Sequence, residues 1–321
     1  MPMLLSLNTA ALSFVGADVG GFFGDTDAEL MSRWMQAGAY QPFFRGHAHH
    51  DAKRREPWMF GDEWTALMRK AAMARYALLP YWYTVFHEAS ITGMPVMRSM
   101  WMQYPMCEAL YDLDDQYLIG SDLLVKPVTK QGATQVMVSF PAVDRWYDVD
   151  TLKVYSPRTL GQTDQRLDVH VTLEKIPVFQ RGGSIIPRRL RLRRSSETMT
   201  KDPYTLYIAL DDEEKAKGNL YVDDGHSFDH IRLGHYGLAK FSIDFKSYIK
   251  NTVSSPSSWA IDNKDDHMIE RFIVMGVHEV PKAIKHDDRF LDFIYDEVSS
   301  VITVRKPNIS AMENWSINIE F

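Results

Sequence analysis

Up to Gly93 apolar residues recur three and four positions apart, and beyond it they fall mostly on alternate positions. The first period belongs to helices and the second to strands, so the chain reads as α/β followed by all-β. Leu4, Leu5, Asn8, Ala11 and Leu12 sit at helical spacing. The apolar run 14–18 ends on Asp18 and is halted by Gly20 and Gly21, which predicts a short buried strand. Thr26 and Glu29 read as a capping box, each side chain answering the other's backbone N–H. The helix they open is predicted to bury Leu30, Trp34 and Ala37 and to end on Gly38 as a left-handed cap. Residues 40–44 predict a second strand, and polar side chains at Arg45, His47 and His49 begin where it stops. This alternation of strand, polar loop and helix is the rhythm of a (β/α)8 TIM barrel, whose ligand-facing groups lie at the C-terminal ends of its strands.

Asp62 opens a predicted helix over 63–79 with Trp64, Leu67, Ala71, Ala74 and Leu78 on one stripe. Pro80 interrupts it, and a second helix over 81–89 ends near Gly93. Two strand–helix units fall well short of a closed barrel, so residues 1–93 read as its C-terminal remnant, with open strand edges. Residues 94–194 predict a proximal β-sandwich, with strands at 117–119, 123–127, 135–139, 146–149, 170–173, 176–180 and 183–187. Residues 195–321 predict a distal β domain, with strands at 204–210, 219–222, 241–245, 270–277, 290–295 and 301–304.

The net charge of −6 over 321 residues gives no reason to expect nucleic acid as a partner. A single cysteine, Cys107, excludes an intramolecular disulfide. No run reaches the length of a membrane span. The apolar start, with small residues at Val15 and Ala17, also resembles a secretory leader. It has no Lys or Arg ahead of the apolar run and Asn8 interrupts it, so a helix is the expectation.

Asp18, at a strand end beside two glycines, suits either a ligand hydroxyl or a neighbouring Arg, or it caps its own loop. His47, His49, His50 and Asp51 make zinc conceivable, since a spacing of two puts a pair of imidazoles on one face. No HExxH accompanies them, and neither metal nor cofactor is expected. Arg45, Arg54 and Arg55 are expected to pair with Asp51 and Glu56. The run Arg188 to Arg194, with Leu190 and Leu192 between, reads as a strand with a solvated charged face. Asp223-Asp224 and Asp211-Asp212-Glu213-Glu214 read as turn and surface, because adjacent carboxylates in a turn cannot face each other across a ligand as an acid/base pair does.

GADVGGFF (16–23), ELMSRWMQAGAYQPFFRGHAH (29–49) and RREPW (54–58) resemble segments of family-31 glycoside hydrolases, the retaining α-glucosidases. IPVFQRGGSIIPR (176–188), LRRSSE (192–197), DPYTLYIAL (202–210) and YVDDGHSF (221–228) extend the resemblance in order. Within the family the likeness is to endoplasmic-reticulum enzymes that trim glucose from N-linked glycans. The resemblance implies that Asp18, Phe22 and His47 face substrate: Phe22 as the aromatic lining the cleft, His47 as the histidine that hydrogen-bonds the sugar. It further implies a glucose-containing oligosaccharide as ligand, a non-catalytic β subunit as partner and the endoplasmic-reticulum lumen as location. The last residues, Asn318-Ile319-Glu320-Phe321, carry no retention tetrapeptide. The family's nucleophile lies in a W-x-D-M-N-E string and its acid/base in a G-D-N string, and neither string is present. The expectation is therefore a C-terminal portion without catalytic residues, inactive alone, or alternatively a carbohydrate-binding or subunit-docking module.

Overall fold

Contacts in the computed structural model, which describes residues 1–156, 158, 161 and 163–321, gather into two units. One comprises Met1–Tyr76, Glu88–Val143 and Ser156–Phe179; the other comprises Ala77–His87, Asp144–Tyr155 and Gln180–Phe321.

In the first unit the helix Pro2–Thr9 buries Leu4, Leu5 and Asn8, as the spacing predicts. Asn8 is tolerated inside because its amide donates to Leu4 O at 3.0 Å and its carbonyl accepts Met97 N–H at 3.0 Å. The helix stops there: Ala11 takes φ +66 and Leu12 is exposed. The helix Ala28–Ala39 differs from expectation in three ways. Its N-cap is Asp27, whose carboxylate accepts Leu30 N–H at 2.8 Å, while Glu29 turns away to accept Gly132 N–H. Its buried face carries Met31, Met35 and Ala39, leaving Leu30 exposed and Trp34 half-buried. Gly38 lies inside the helix, where a Cβ would fall 2.7 Å from Val19 Cγ2 and 2.9 Å from the Phe44 ring. It is a close-packing glycine, not a left-handed cap.

Neither 14–18 nor 40–44 forms a strand, and Phe14 is exposed. The two segments touch through Phe43 N–H to Val15 O and Val19 N–H to Arg45 O, both 2.9 Å, around one parallel bridge, Val19 to Gly46. The ladder stops after one bridge: Pro42 has no N–H to donate, and Gly16 approaches the Phe43 carbonyl so closely that only a glycine fits, an added Cβ falling 1.9 Å from its oxygen. Ala17 N–H is met instead by the Gln41 side chain. The helix Asp62–Ala77 buries Ala71 of the predicted stripe but also Met68, with Trp64, Leu67 and Ala74 only half-buried, and Leu78 is buried where that helix gives way to Leu79–Thr92. Pro80 falls in the first turn of the second helix, where its missing N–H costs nothing.

Met97–Arg98, Tyr117–Ile119 and Leu123–Val125 form an antiparallel meander, and Gln135–Pro141 pairs with Asp164–His170. The last strand therefore ends, not begins, at His170. Cys107 is buried, as a core residue would be. No helix among the described residues is long and apolar enough to cross a membrane.

The described residues of the second unit include an eleven-stranded sheet: β1 (Ser184–Arg188), β2 (Tyr204–Ala209), β3 (Lys215–Val222), β4 (Gly237–Asp244), β5 (Tyr248–Ser254) and β6 (Met268–Met275). The others are β7 (Ala283–His286), β8 (Arg289–Phe290), β9 (Phe293–Asp296), β10 (Val301–Ser310) and β11 (Trp315–Glu320). Their order is β8-β7-β11-β5-β4-β3-β1-β2-β6-β10-β9. Inward residues from across this sheet, among them Ile208, Phe241, Phe272, Val274, Ile302 and Ile317, share one apolar core, so the sheet closes over itself as a sandwich-like layer pair. The basic run is not a strand. β1 ends at Arg188, and the following arginines find separate acceptors: Arg189 on Tyr204 Oη at 2.7 Å, Arg191 on Glu270 at 3.0 Å, Arg193 on Asp202.

His267 is buried in this unit, and that burial, helped by the charge of Arg189, pushes its imidazole down to about 4. Folded, it stays neutral where the unfolded chain, with the ordinary histidine value of 6.5, takes up a proton. Its contribution is therefore complete above pH 6.5 and is lost as pH falls from there to 4. The loss amounts to about 3 kcal/mol at 1.36 kcal/mol per unit. Urea midpoints of the wild type should fall across this window, and those of His267→Gln should fall less. Equal slopes for both proteins reject the assignment.

Candidate functional site

The segment from Val15 to Glu56 is held by two guanidinium groups, Arg55 buried and Arg75 half-buried. Arg55 donates to the carbonyl oxygens of Gly20 (3.1 Å), Gly21 (2.7 Å) and Gly24 (2.5 Å). Gly20 and Gly21 take φ of +94° and +82°, which only glycine adopts without strain, and this lets successive carbonyls turn toward one cation. Arg75, from the helix Asp62–Ala77, donates to Ala39 O, Gln41 O and Pro42 O at 3.1, 2.6 and 2.8 Å. Burial pushes its guanidinium down to about 10, still protonated at neutral pH. Sequence reasoning placed Arg55 in an ion pair and did not single out Arg75. The available signal was one arginine in the otherwise apolar stretch 71–82, where a buried cation needs several acceptors.

Between these clamps the predicted site residues are set out. Asp18 is paired with Arg45, whose Nε donates to its Oδ1 at 2.9 Å, so of its sequence-based alternatives the neighbouring Arg is realised. Arg45 thus pairs with Asp18 rather than with Asp51 or Glu56, while Arg54 and Glu56 pair as expected at 2.7 Å. Phe22 and His47 are twenty-five residues apart in sequence, yet their ring centroids stand 5.6 Å apart at an interplanar angle of 30°. The bond that brings them together is His49 N–H to Phe22 O at 2.8 Å. His47 is exposed, and none of the described residues hydrogen-bonds its imidazole. His47 does not join the other histidines: the potential metal ligands that cluster are His49, His50 and Asp51.

An aromatic face, an imidazole able to donate at one nitrogen and accept at the other, and an Arg–Asp pair can together hold a ring with an apolar C–H face and a polar rim. Each of the six carboxylates from Asp18 to Glu56 is already engaged: Asp18 by Arg45, Asp25 by Lys53, Asp27 by Leu30 N–H, Glu29 by Gly132 N–H, Asp51 by the neighbouring histidines and Glu56 by Arg54. The acidic pairs farther along are turn groups, as the sequence suggests. Asp223 accepts from Tyr83 Oη at 2.7 Å and Tyr221 Oη at 2.9 Å, and Asp224 accepts the N–H groups of His226 and Ser227.

Residues 1–85 match the TIM-barrel domain of glycosyl hydrolases family 31, and residues 93–186 match the C-terminal domain of glycosyl hydrolase family 31. Over 96% of its length the chain is 46% identical to 32% of neutral alpha-glucosidase AB from Dictyostelium discoideum. A crystal structure of glucosidase II alpha subunit in its Glc1Man2-bound form superposes with a TM-score of 0.90 at 35% identity, covering 99% of this chain and 36% of that one. The ER glucosidase II heterodimeric complex, consisting of catalytic subunit and the binding domain of the regulatory subunit, matches with a TM-score of 0.88 at 34% identity, again over 99% and 36%. The chain spans about a third of the length of the curated relatives it matches.

Proposed function

The chain belongs to glycosyl hydrolase family 31, and from that premise we propose that it forms one wall of the glucose-binding cleft of a retaining α-glucosidase acting on terminal α-linked glucose. Its fold is a (β/α)8-barrel remnant followed by β-sandwich-like sheets. We take 1–93 as the barrel portion, 94–194 as the proximal β-sandwich and 195–321 as the distal β domain.

The observation that carries the reading is the imidazole of His47, packed on the Phe22 ring and without a hydrogen-bond partner among the described residues. An apolar face joined to an open donor–acceptor group is what a pyranose offers in complement. Asp18, held by Arg45, supplies charge at the rim. Trimming of glucose from N-linked glycans, residence in the endoplasmic-reticulum lumen and association with a glucosidase II β-like subunit complete the proposal, supported by the neutral alpha-glucosidase AB and glucosidase II likeness. Because the six carboxylates of the segment are engaged and the two family strings are absent, a non-catalytic carbohydrate-binding or subunit-docking module is the second reading.

Titrating a glucosylated oligosaccharide against wild type and His47→Ala tests the site. The substitution should weaken saturable binding about tenfold, the worth of one or two hydrogen bonds, with the circular dichroism spectrum unchanged. Wild-type binding that the substitution leaves intact removes His47 from the site, and no binding at all sinks the sugar wall. In a pull-down, capture of a glucosidase II β-type subunit by the chain supports the docking part, and failure at micromolar concentrations counts against it.

A further inference from the structure

Just past His47 the loop makes a tight turn, Ala52 N–H donating to His49 O at 3.0 Å. It gathers His49, His50 and Asp51 so that one potential ligand atom from each lies within 4.8 Å of the others. His49 Nδ1 is 3.4 Å from Asp51 Oδ2, and His50 Nε2 is 3.3 Å from Asp51 Oδ1. Tetrahedral zinc with bonds of about 2.0–2.2 Å holds its ligand atoms about 3.3–3.6 Å apart. The two separations are therefore already edges of such a shell. Asp51 N–H also approaches His49 Nδ1 at 3.3 Å, a long hydrogen bond that an ion held by this nitrogen would replace.

We propose that this turn binds one divalent transition-metal ion of the zinc class through His49, His50 and Asp51. Two imidazoles and one carboxylate suit zinc, nickel or copper, whereas magnesium and calcium prefer oxygen alone. His49 is pre-positioned. Its N–H is fixed to Phe22 O, and its ring stands 5.8 Å from Phe22 edge-on and 5.6 Å from Phe23. His50 stacks on it at 4.1 Å. Three protein ligands leave coordination positions for water or another donor. Since Phe22 touches both His49 and His47, an ion here lies one aromatic ring away from the proposed sugar wall. Metal binding does not depend on that wall binding sugar.

The test is calorimetric titration of Zn²⁺ into the untagged, chelator-stripped full chain and into His50→Ala, Asp51→Ala and His47→Ala. The wild type should take up one ion. His50→Ala and Asp51→Ala, at exposed side chains, should keep the wild-type circular dichroism spectrum and should each weaken binding about tenfold or more. His47→Ala should match the wild type. Absence of saturable uptake overturns the proposal. So does uptake insensitive to the His50 and Asp51 substitutions, or uptake lost equally with His47.

Discussion

The purified 321-residue chain should turn over an aryl α-glucoside no faster than buffer does. Retaining hydrolysis needs two carboxyl groups about 5–5.5 Å apart, one to attack the sugar and one to move the proton. The strings that carry both in the family are absent from these residues, and the carboxylates near His47 are spoken for. Losing the general acid/base alone typically costs about 10²–10⁴-fold. Losing the nucleophile as well removes the covalent intermediate, and such effects act as a unit rather than adding. A carboxylate that stands in the proposed wall is Asp18, partly exposed and ion-paired with Arg45. Assays of wild type and Asp18→Asn side by side decide the matter. Turnover above buffer by the wild type would end the reading that the chain lacks its catalytic groups; equal background in both proteins supports it.

The helical elements were legible because their spacing is a local property: Leu4, Leu5 and Asn8, or Ala71 and Leu78, are buried as their periods require. What was misread was settled by contacts between distant residues. Thr26 and Asp27 are both good caps, and the choice of Asp27 left Glu29 free for Gly132, about a hundred residues away. The strand reading of 14–18 failed at Gly16 and Pro42, where close approach and a missing donor break the ladder after one bridge. β5 escaped notice because its inward positions include Asn251, a buried amide that donates to Ala311 O and Glu313 O and so hides the apolar alternation. In the site, His47 and Phe22 followed from resemblance, but their meeting depends on one backbone bond that no spacing encodes. The three carbonyls on Arg55 are similarly invisible, since glycine carbonyls leave no mark on composition.

Gly276→Ala should destabilise the second unit by about 3–6 kcal/mol, the sum of backbone strain, overpacking and a broken buried hydrogen bond. Gly276 closes β6 with φ +84, and its N–H donates to Ser300 O at 3.0 Å, so the backbone has no room to relax. An alanine Cβ would stand 2.1 Å from Tyr147 Oη and 3.0 Å from Cζ. Tyr147 is fully buried, and its hydroxyl donates to Leu210 O at 2.7 Å. Burial, partly offset by the adjacent Arg145, pushes that hydroxyl up to about 12, so it remains a donor at neutral pH and cannot yield without orphaning the carbonyl. The mechanism makes a signed claim about Tyr147→Phe. Alone it should cost about 1–3 kcal/mol, the price of the unpaired Leu210 carbonyl. Combined with Gly276→Ala it removes the atom in collision, so the double variant should be more stable than the two single losses predict, by about 1–2 kcal/mol. Urea denaturation of the four proteins measures this coupling. Strict additivity would mean that the backbone angle alone carries the cost and that the hydroxyl is not what Gly276 accommodates.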